Sequence, residues 1–379
     1  MRDAVIVQTV RTPVGIGKPE KGSLSGIHPV DLSALTLQAL VERAGIDPTH
    51  VDDVIWGCVG QVGEQSANVA RNSALAAGFP ESVTGVTVDR QCGSSQQALA
   101  FAAASVISGN SDVVIAGGVE SMSHVPMLSN MAGGEGPFSP MMVKRYPNLV
   151  HQGISAEMIA DQWKLSRHHL DELAAISQQR AAAANDAGLF AAEITAVDGV
   201  NTDQGIRPGT TVESLAALKP AFNPEGVVTA GNASQISDGS AAILVMTSDR
   251  AKELGLKPIA RVHTNVMAGV DPVIMLTGPI PATAKALRKS GLSLSEIGTF
   301  EVNEAFASVL GAWLQDTGAD HALTNPNGGA MALGHPLGAS GARIMTTMLH
   351  HMQRENIKYG LQTMCEGGGM ANATILELL

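Results

Sequence analysis

The chain has 379 residues, with 24 Lys and Arg against 35 Asp and Glu, and the resulting charge of −11 argues against binding nucleic acid by phosphate neutralisation. With 45% hydrophobic and 16% charged residues it can bury a large core and is not a disordered chain. Aromatics amount to only 3% while glycine numbers 41, so the interior is expected to use small side chains that let helices and backbone approach closely.

The N-terminal residues run at once from Met1-Arg2-Asp3 into the apolar Ala4 to Val7, without the zones of an export signal. Strands are expected at Ala4 to Val7, Val54 to Val59, Val83 to Val88 and Val113 to Ala116, with helices near Val30 to Ala44, Ala67 to Ala77 and Gly93 to Ile107. This alternation predicts parallel strands joined by crossover helices in an α/β layer. The stretch from Gln91 to Ser111 lacks Lys, Arg, Asp and Glu, but its Ser and Gln residues point to a helix buried in protein and not in a membrane.

From Gly117 to about Asp238 the rhythm is lost. Residues 121–151 are rich in Met, Pro, Gly and Ser and read as loop, and an Ala-rich helix follows from Arg167 to Ala187, which suggests an inserted covering region. The alternation then resumes, with strands at Ala242 to Met246, Ile259 to Val266, Phe300 to Val302, Gly360 to Cys365 and Ala373 to Leu376. Helices are expected near Ala282 to Ser290, Glu304 to Thr317 and Gly338 to Met352. In both halves a small-residue helix opens on a Gly/Ser turn, passes into an apolar strand and ends at Gly-Gly. That shared pattern hints at two similar units packed helix against helix.

Three cysteines, an odd count, fit a reduced cytoplasmic enzyme better than a disulfide framework. Cys92 stands at the start of the uncharged helix, where free N–H groups and the helix dipole favour a thiolate, although cysteine is also a common small core residue. Cys365 precedes Glu366-Gly367-Gly368-Gly369, a run that bends sharply or brings N–H groups close to an anion. His335, set between Gly334 and Pro336, has a fixed backbone suited to a positioned base. Asn303, after the strand Phe300 to Val302, reads first as a helix cap. Cys58 is expected to be buried and inert, and no histidine has metal-ligand spacing.

Taken together, Cys92-Gly93-Ser94-Ser95, Asn303-Glu304-Ala305-Phe306, Gly334-His335-Pro336 with Gly338-Ala339-Ser340-Gly341-Ala342-Arg343, and Cys365-Glu366-Gly367-Gly368-Gly369 resemble the four signature blocks of the thiolase family, in the family's order. The resemblance implies two topologically similar α/β domains in α-β-α-β-α layers: an N-terminal domain of residues 1–117 and 239–262, an inserted loop domain of 118–238, and a C-terminal domain of 263–379. It implies acyl transfer between a 3-oxoacyl-CoA and CoA, with acetyl-CoA released. Cys92 would be the nucleophile, His335 its base, Asn303 the holder of a water, Cys365 the general acid and base, and the N–H groups of Cys92 and Gly367 the oxyanion hole. CoA, as co-substrate and not a resident cofactor, would meet His151, Arg207, Ser214, Phe222, Ala230, Ser234 and Phe306. A cytoplasmic homodimer or homotetramer is implied as well.

Departures at Ser95, Gln96, Gln152, Glu366 and residues 125–150 lie around the acyl end, and they resemble a bacterial subgroup acting on bulky steroid side-chain CoA thioesters. Formation of acetoacetyl-CoA from two acetyl-CoA is the same chemistry reversed. A decarboxylating ketoacyl synthase is disfavoured by Cys365 and Asn303-Glu304, and a non-catalytic acyl-CoA binder by the intact four blocks.

Overall fold

The first apolar run forms β1 (Val5–Arg11), followed by the two-residue β2 (Gly15–Ile16). Helix α1 (Pro29–Ala44) starts on a proline and ends at Gly45 in the left-handed conformation. Then come β3 (Asp53–Gly57), α2 (Val69–Ala76), β4 (Thr84–Val88), α3 (Ser94–Ser108) and β5 (Val113–Ser121). The section that reads as irregular carries α4 (Pro140–Arg145), α5 (Gln152–Gln162), α6 (Arg167–Asp186) and α7 (Val212–Ala216). Alternation returns with β6 (Ser237–Met246), α8 (Ser248–Glu253), β7 (Ala260–Gly269), α9 (Pro279–Ser290), β8 (Thr299–Val302) and α10 (Ala307–Thr317). It closes with α11 (Ala330–Leu333), α12 (Leu337–Glu355), β9 (Tyr359–Glu366) and β10 (Met370–Leu378). This computed structural model describes residues 2–379.

The strands join in the order β4-β3-β5-β6-β1-β7-β10-β9-β8, with β2 beside β6. Strands β3, β4 and β5 are parallel, as the alternation predicts. The expectation fails for β1, which pairs antiparallel with β6, a strand that arrives only after the insertion. The two halves repeat one topology. In β1-β6-β5-β3 and again in β7-β10-β9-β8 the first two pairings are antiparallel and the third is parallel. Only Val5 and Ile6 of β1 pair with β7, so the halves are joined at a narrow seam.

The inner strands of each half, such as β5, β6 and β9, bury both faces, giving five layers, whereas β4 at the sheet edge and alternate residues of β7 stay partly exposed. Helices α1 and α2 cover one face of the first half through Leu32, Leu37 and Ala70 against Trp56 and Ile115. Helices α3 and α12 fill the middle, where Leu99 and Ala102 meet Met345 and Met348. Helices α9 and α10 cover the far face through Ala286 and Trp313. Small residues permit the central contact: a Cβ on Gly338 would lie 2.5 Å from Val119 O and 2.6 Å from Cys58 Cα. Helix α3 is only partly enclosed, since Phe101 and Ile107 remain exposed on its outer side.

The segment between β5 and β6 is fastened to the sheet by a buried ion cluster. Arg11 of β1 donates to Glu193 at 2.6 Å and to both oxygens of Asp203 at 2.7 and 2.9 Å. Strand β7 crosses position 262, the end expected for the first domain, and pairs along its whole length with β10, so the connection between the halves lies in the stretch around α8.

Candidate active site

Cys92 stands on the turn between β4 and α3, and that turn is held under strain. Gln91, a non-glycine residue, has φ 49°. Its N–H donates to Asp89 Oδ1 at 2.6 Å, while Ser94 Oγ accepts from Arg90 N at 2.9 Å and donates to Gln91 O at 2.6 Å. The thiol is buried against Ile344 of α12 and Met364 of β9. Burial, with Glu366 adding, pushes it up to about 12, while the nearby backbone N–H groups of Cys92 itself and of Gly367 pull the other way. The thiolate expected from the helix start is therefore not the resting form: desolvation outweighs the helix terminus.

Cys365, near the end of β9, is also buried, and burial followed by the nearby Cys92 raises its thiol well above the ordinary range. The two sulfurs thus lie within each other's field, and both rest as thiols. Of the three glycines that follow, Gly368 and Gly369 have φ 82° and 80° and form the turn into β10, whereas Gly367 presents its N–H to Cys92.

His335 follows Gly334, whose φ of 94° a side chain would disfavour. The His335 N–H donates to Gln235 O and to Ser237 Oγ, both at 3.1 Å, which clamps the backbone. The ring Nδ1 lies 2.5 Å from Ser340 Oγ, and that hydroxyl donates to Pro336 O at 2.9 Å. On the other side Asn303 Nδ2 lies 3.3 Å from Nε2. Burial, with the charge of Arg343 adding, pushes the ring down to about 3, so it is neutral. Asn303 is not a cap: α10 begins at Ala307, and the Asn303 amide is spent on His335.

Two family patterns cover almost all of the chain: Thiolase, N-terminal domain over residues 4–249, and Thiolase, C-terminal domain over residues 256–378. The chain belongs to the thiolase family. It is 50% identical to a steroid 3-ketoacyl-CoA thiolase of Mycobacterium tuberculosis, covering 100% of this chain and 95% of that one. It is 47% identical to a 3-ketoacyl-CoA thiolase of Erwinia tasmaniensis, with 100% of both chains covered. Among solved structures, the Bacillus anthracis acetyl-CoA acetyltransferase superposes with a TM-score of 0.91 at 38% identity, covering 100% and 99% of the two chains.

In this thiolase the insertion brings several of the CoA candidates together. His151, the N-cap of α5, stacks on Phe222 with ring centroids 5.4 Å apart, and Phe222 meets Phe306 edge-on at 5.9 Å. Ser234 N–H donates to Ala305 O at 2.9 Å, tying that stretch to the Phe306 turn. Ala230 is exposed beside Gly231, which packs on Leu215 and Leu218, next to Ser214 of α7. Arg207 and Ser214 stand exposed on the insertion, apart from the aromatic cluster.

Sequence reasoning missed several supports. Ser340 orients His335, and its place one turn into a helix after His-Pro was the available signal. Glu304 accepts from Ser177 Oγ at 2.6 Å, Asn325 Nδ2 at 2.8 Å and Met331 N at 3.2 Å, fastening the segments that carry Asn303 and His335. Glu120 accepts from the N–H groups of Val59, Gly60 and Gly338 at 2.8 to 3.0 Å. Gln91 and Gln152 both approach Gly367. Among the described residues no three His, Cys, Asp or Glu side chains converge as metal ligands, and no helix is long and apolar enough to cross a membrane.

Proposed function

We propose that this thiolase cleaves a 3-oxoacyl-CoA with CoA, releasing acetyl-CoA and a shortened acyl-CoA through an acyl-enzyme on Cys92. The observation that carries the reading is the meeting of the two halves of the chain at Cys92: Met364 of β9 packs on its thiol, and Glu366 and the backbone N–H of Gly367 lie beside it. In this reading an oxygen on a carbon bound to that sulfur is met by the N–H groups of Cys92 and Gly367, which act as the oxyanion hole.

The proton must leave Cys92 as the S–C bond forms. A thiol near 12 and an imidazole near 3 do not form a stable ion pair beforehand, so the developing negative charge passes to the carbonyl oxygen while His335 Nε2 takes the proton. Breaking the bond between carbons 2 and 3 expels the enolate of acetyl-CoA. Asn303, with its Oδ1 free of protein partners, and His335 border that charge, and Cys365 supplies the proton at carbon 2. The Cys365 thiolate then takes the proton from CoA, whose sulfur attacks the acyl-enzyme. The departing Cys92 sulfur recovers its proton from His335, which closes the cycle. CoA serves as co-substrate, held along His151, Phe222, Phe306, Ala230 and Ser234 with Arg207 and Ser214 at the outer rim.

A bulky, ring-sized acyl group is favoured over a short one by the 50% identity to the steroid 3-ketoacyl-CoA thiolase. The exposed β4 edge, with Val86, Leu75 and Phe101 uncovered around it, supports a homodimer through the first half, or a homotetramer built on it. We assign the compartment as cytoplasmic, since both working thiols must stay reduced. The repeated strand topology supports a division into two similar domains with 118–238 as the insert in the first.

Thiolysis of 3-oxoacyl-CoA substrates from acetoacetyl to steroid-sized, by wild type and by Cys92→Ala, tests the assignment. Turnover by wild type alone is expected, with preference for the bulky acyl groups; equal rates in the two proteins would refute it.

A further inference from the structure

The mechanism leaves one buried acid unused. Glu366 is fully buried, and neither carboxyl oxygen has a hydrogen-bond partner in the protein. Side chains alternate along β9, so Glu366 shares a face with Met364, which packs on Cys92, while Cys365 points to the other face. Its Oε1 is seated against Gly93, where any Cβ would collide with it. Asn372 of β10 closes the arrangement: its Nδ2 donates to Gly93 O at 3.1 Å, and its Oδ1 is also without a partner. An unpaired buried carboxylate is costly, whereas a carboxylic acid is much less so.

We propose that Glu366 is a positioning residue for the nucleophile that works in its protonated form, packing the Gly93 turn against Asn372, and that its ionisation sets a like charge beside Cys92 and suppresses the thiolate. This rests on the reading of Cys92 as the nucleophile. The titratable or charged groups facing Glu366 are Asp89 and Arg90 from the turn ahead of α3, Cys92 at that helix's start, and Cys365 on its own strand; β10 contributes the neutral Met370 and Asn372. Burial pushes Glu366 up to about 8, with Arg90 opposing and Asp89 adding. The switch therefore falls at mildly alkaline pH. Both cysteines feel it, because Glu366 raises each of them.

The test is the rate of Cys92 alkylation by iodoacetamide from pH 6 to 9.5, with the alkylated cysteine located by peptide mass spectrometry, in wild type, Glu366→Gln and Glu366→Asp. In wild type the rate is expected to climb with pH and then bend toward a plateau near pH 8. In Glu366→Gln the climb continues without a bend, so that at pH 9.5 the variant reacts about tenfold faster, as a coupling of about one pK unit gives. Glu366→Asp, which keeps a carboxyl, retains a bend. Superimposable wild-type and Gln profiles, or a wild-type profile with no bend, would overturn the proposal. Alkylation needs no acyl-CoA, so its outcome is separate from whether thiolysis is the reaction.

Discussion

Asn303 Nδ2 lies 3.3 Å from His335 Nε2, and this contact fixes how the imidazole can work. An amide N–H can only donate, so Nε2 presents its lone pair and the ring proton resides on Nδ1, which donates to Ser340 Oγ at 2.5 Å. The hydroxyl proton passes on to Pro336 O. The ring is thus held in one tautomer, as the proposed role of His335 as base requires, by Asn303 from the turn ahead of α10 together with Ser340 and Pro336 beside the histidine.

Ser340→Ala removes the anchor of that tautomer without touching substrate. The kcat is expected to fall about tenfold, the equivalent of one hydrogen bond of about 1.4 kcal/mol, with KM nearly unchanged. Steady-state kinetics decide the matter: a rise in KM at constant kcat would place Ser340 in binding instead.

Because burial holds His335 near 3, its protonation produces no loss of activity between pH 5 and 7. Stability behaves differently. Below the ordinary histidine value of 6.5 the unfolded chain takes up a proton that folded His335 refuses, so the fold loses about 1.4 kcal/mol per pH unit from that group as pH falls toward 3. Denaturant titrations of wild type and His335→Asn from pH 7 to 5 should show the stability gap moving in favour of the variant as pH drops. A constant gap would mean that the ring titrates normally.

Cys365→Ser keeps a hydroxyl of similar size but one too weakly acidic to supply and recover protons. Acylation of Cys92 by acetyl-CoA should persist, visible as a mass increase on the intact protein, while turnover drops by roughly 10²-fold or more. Undiminished turnover would remove Cys365 from the chemistry.

At the centre of the layers, Gly338→Ala would press a methyl group onto the backbone of Val119, Gly57 and Cys58. Overpacking of this kind costs about 1–3 kcal/mol, so a lower melting temperature is expected. Gly226→Ala, which meets only the end of the flexible Glu157 side chain, should cost less.

Arg11→Met leaves Glu193 and Asp203 buried without their cation. The expected loss is about 3–5 kcal/mol, and because both acids belong to the insertion, limited proteolysis should cut first within it. Cleavage no faster than in wild type would show that the insertion is fastened elsewhere.

Much of this was legible in the chain because local signals agreed with the fold. The uncharged run beginning at Gly93 is α3, the Gly-Ala-Ser-Gly segment opens α12, and the apolar run ending at Cys365 is β9. Helix α5 was not legible, since its buried face is made of Gly153, Ser155, Ala156 and Ala160 with only Ile159 as a large apolar residue, and its cap is a histidine. Asn303 was misleading for a related reason: a residue before a helix has cap chemistry by default, and only the approach of His335, 32 positions later, gives its amide another partner.

The amino-acid order by itself determined which chemical groups this thiolase owns: two cysteines at strand-helix and strand-turn junctions, a histidine pinned between glycine and proline, and glycines where backbones must touch. Only the tertiary structure decided their charge states. Protonation depends on how much water is excluded and on which dipoles and charges arrive from distant segments. Cys92, exposed to a helix start in the sequence, is governed in the fold by burial and by Glu366, some 270 residues away.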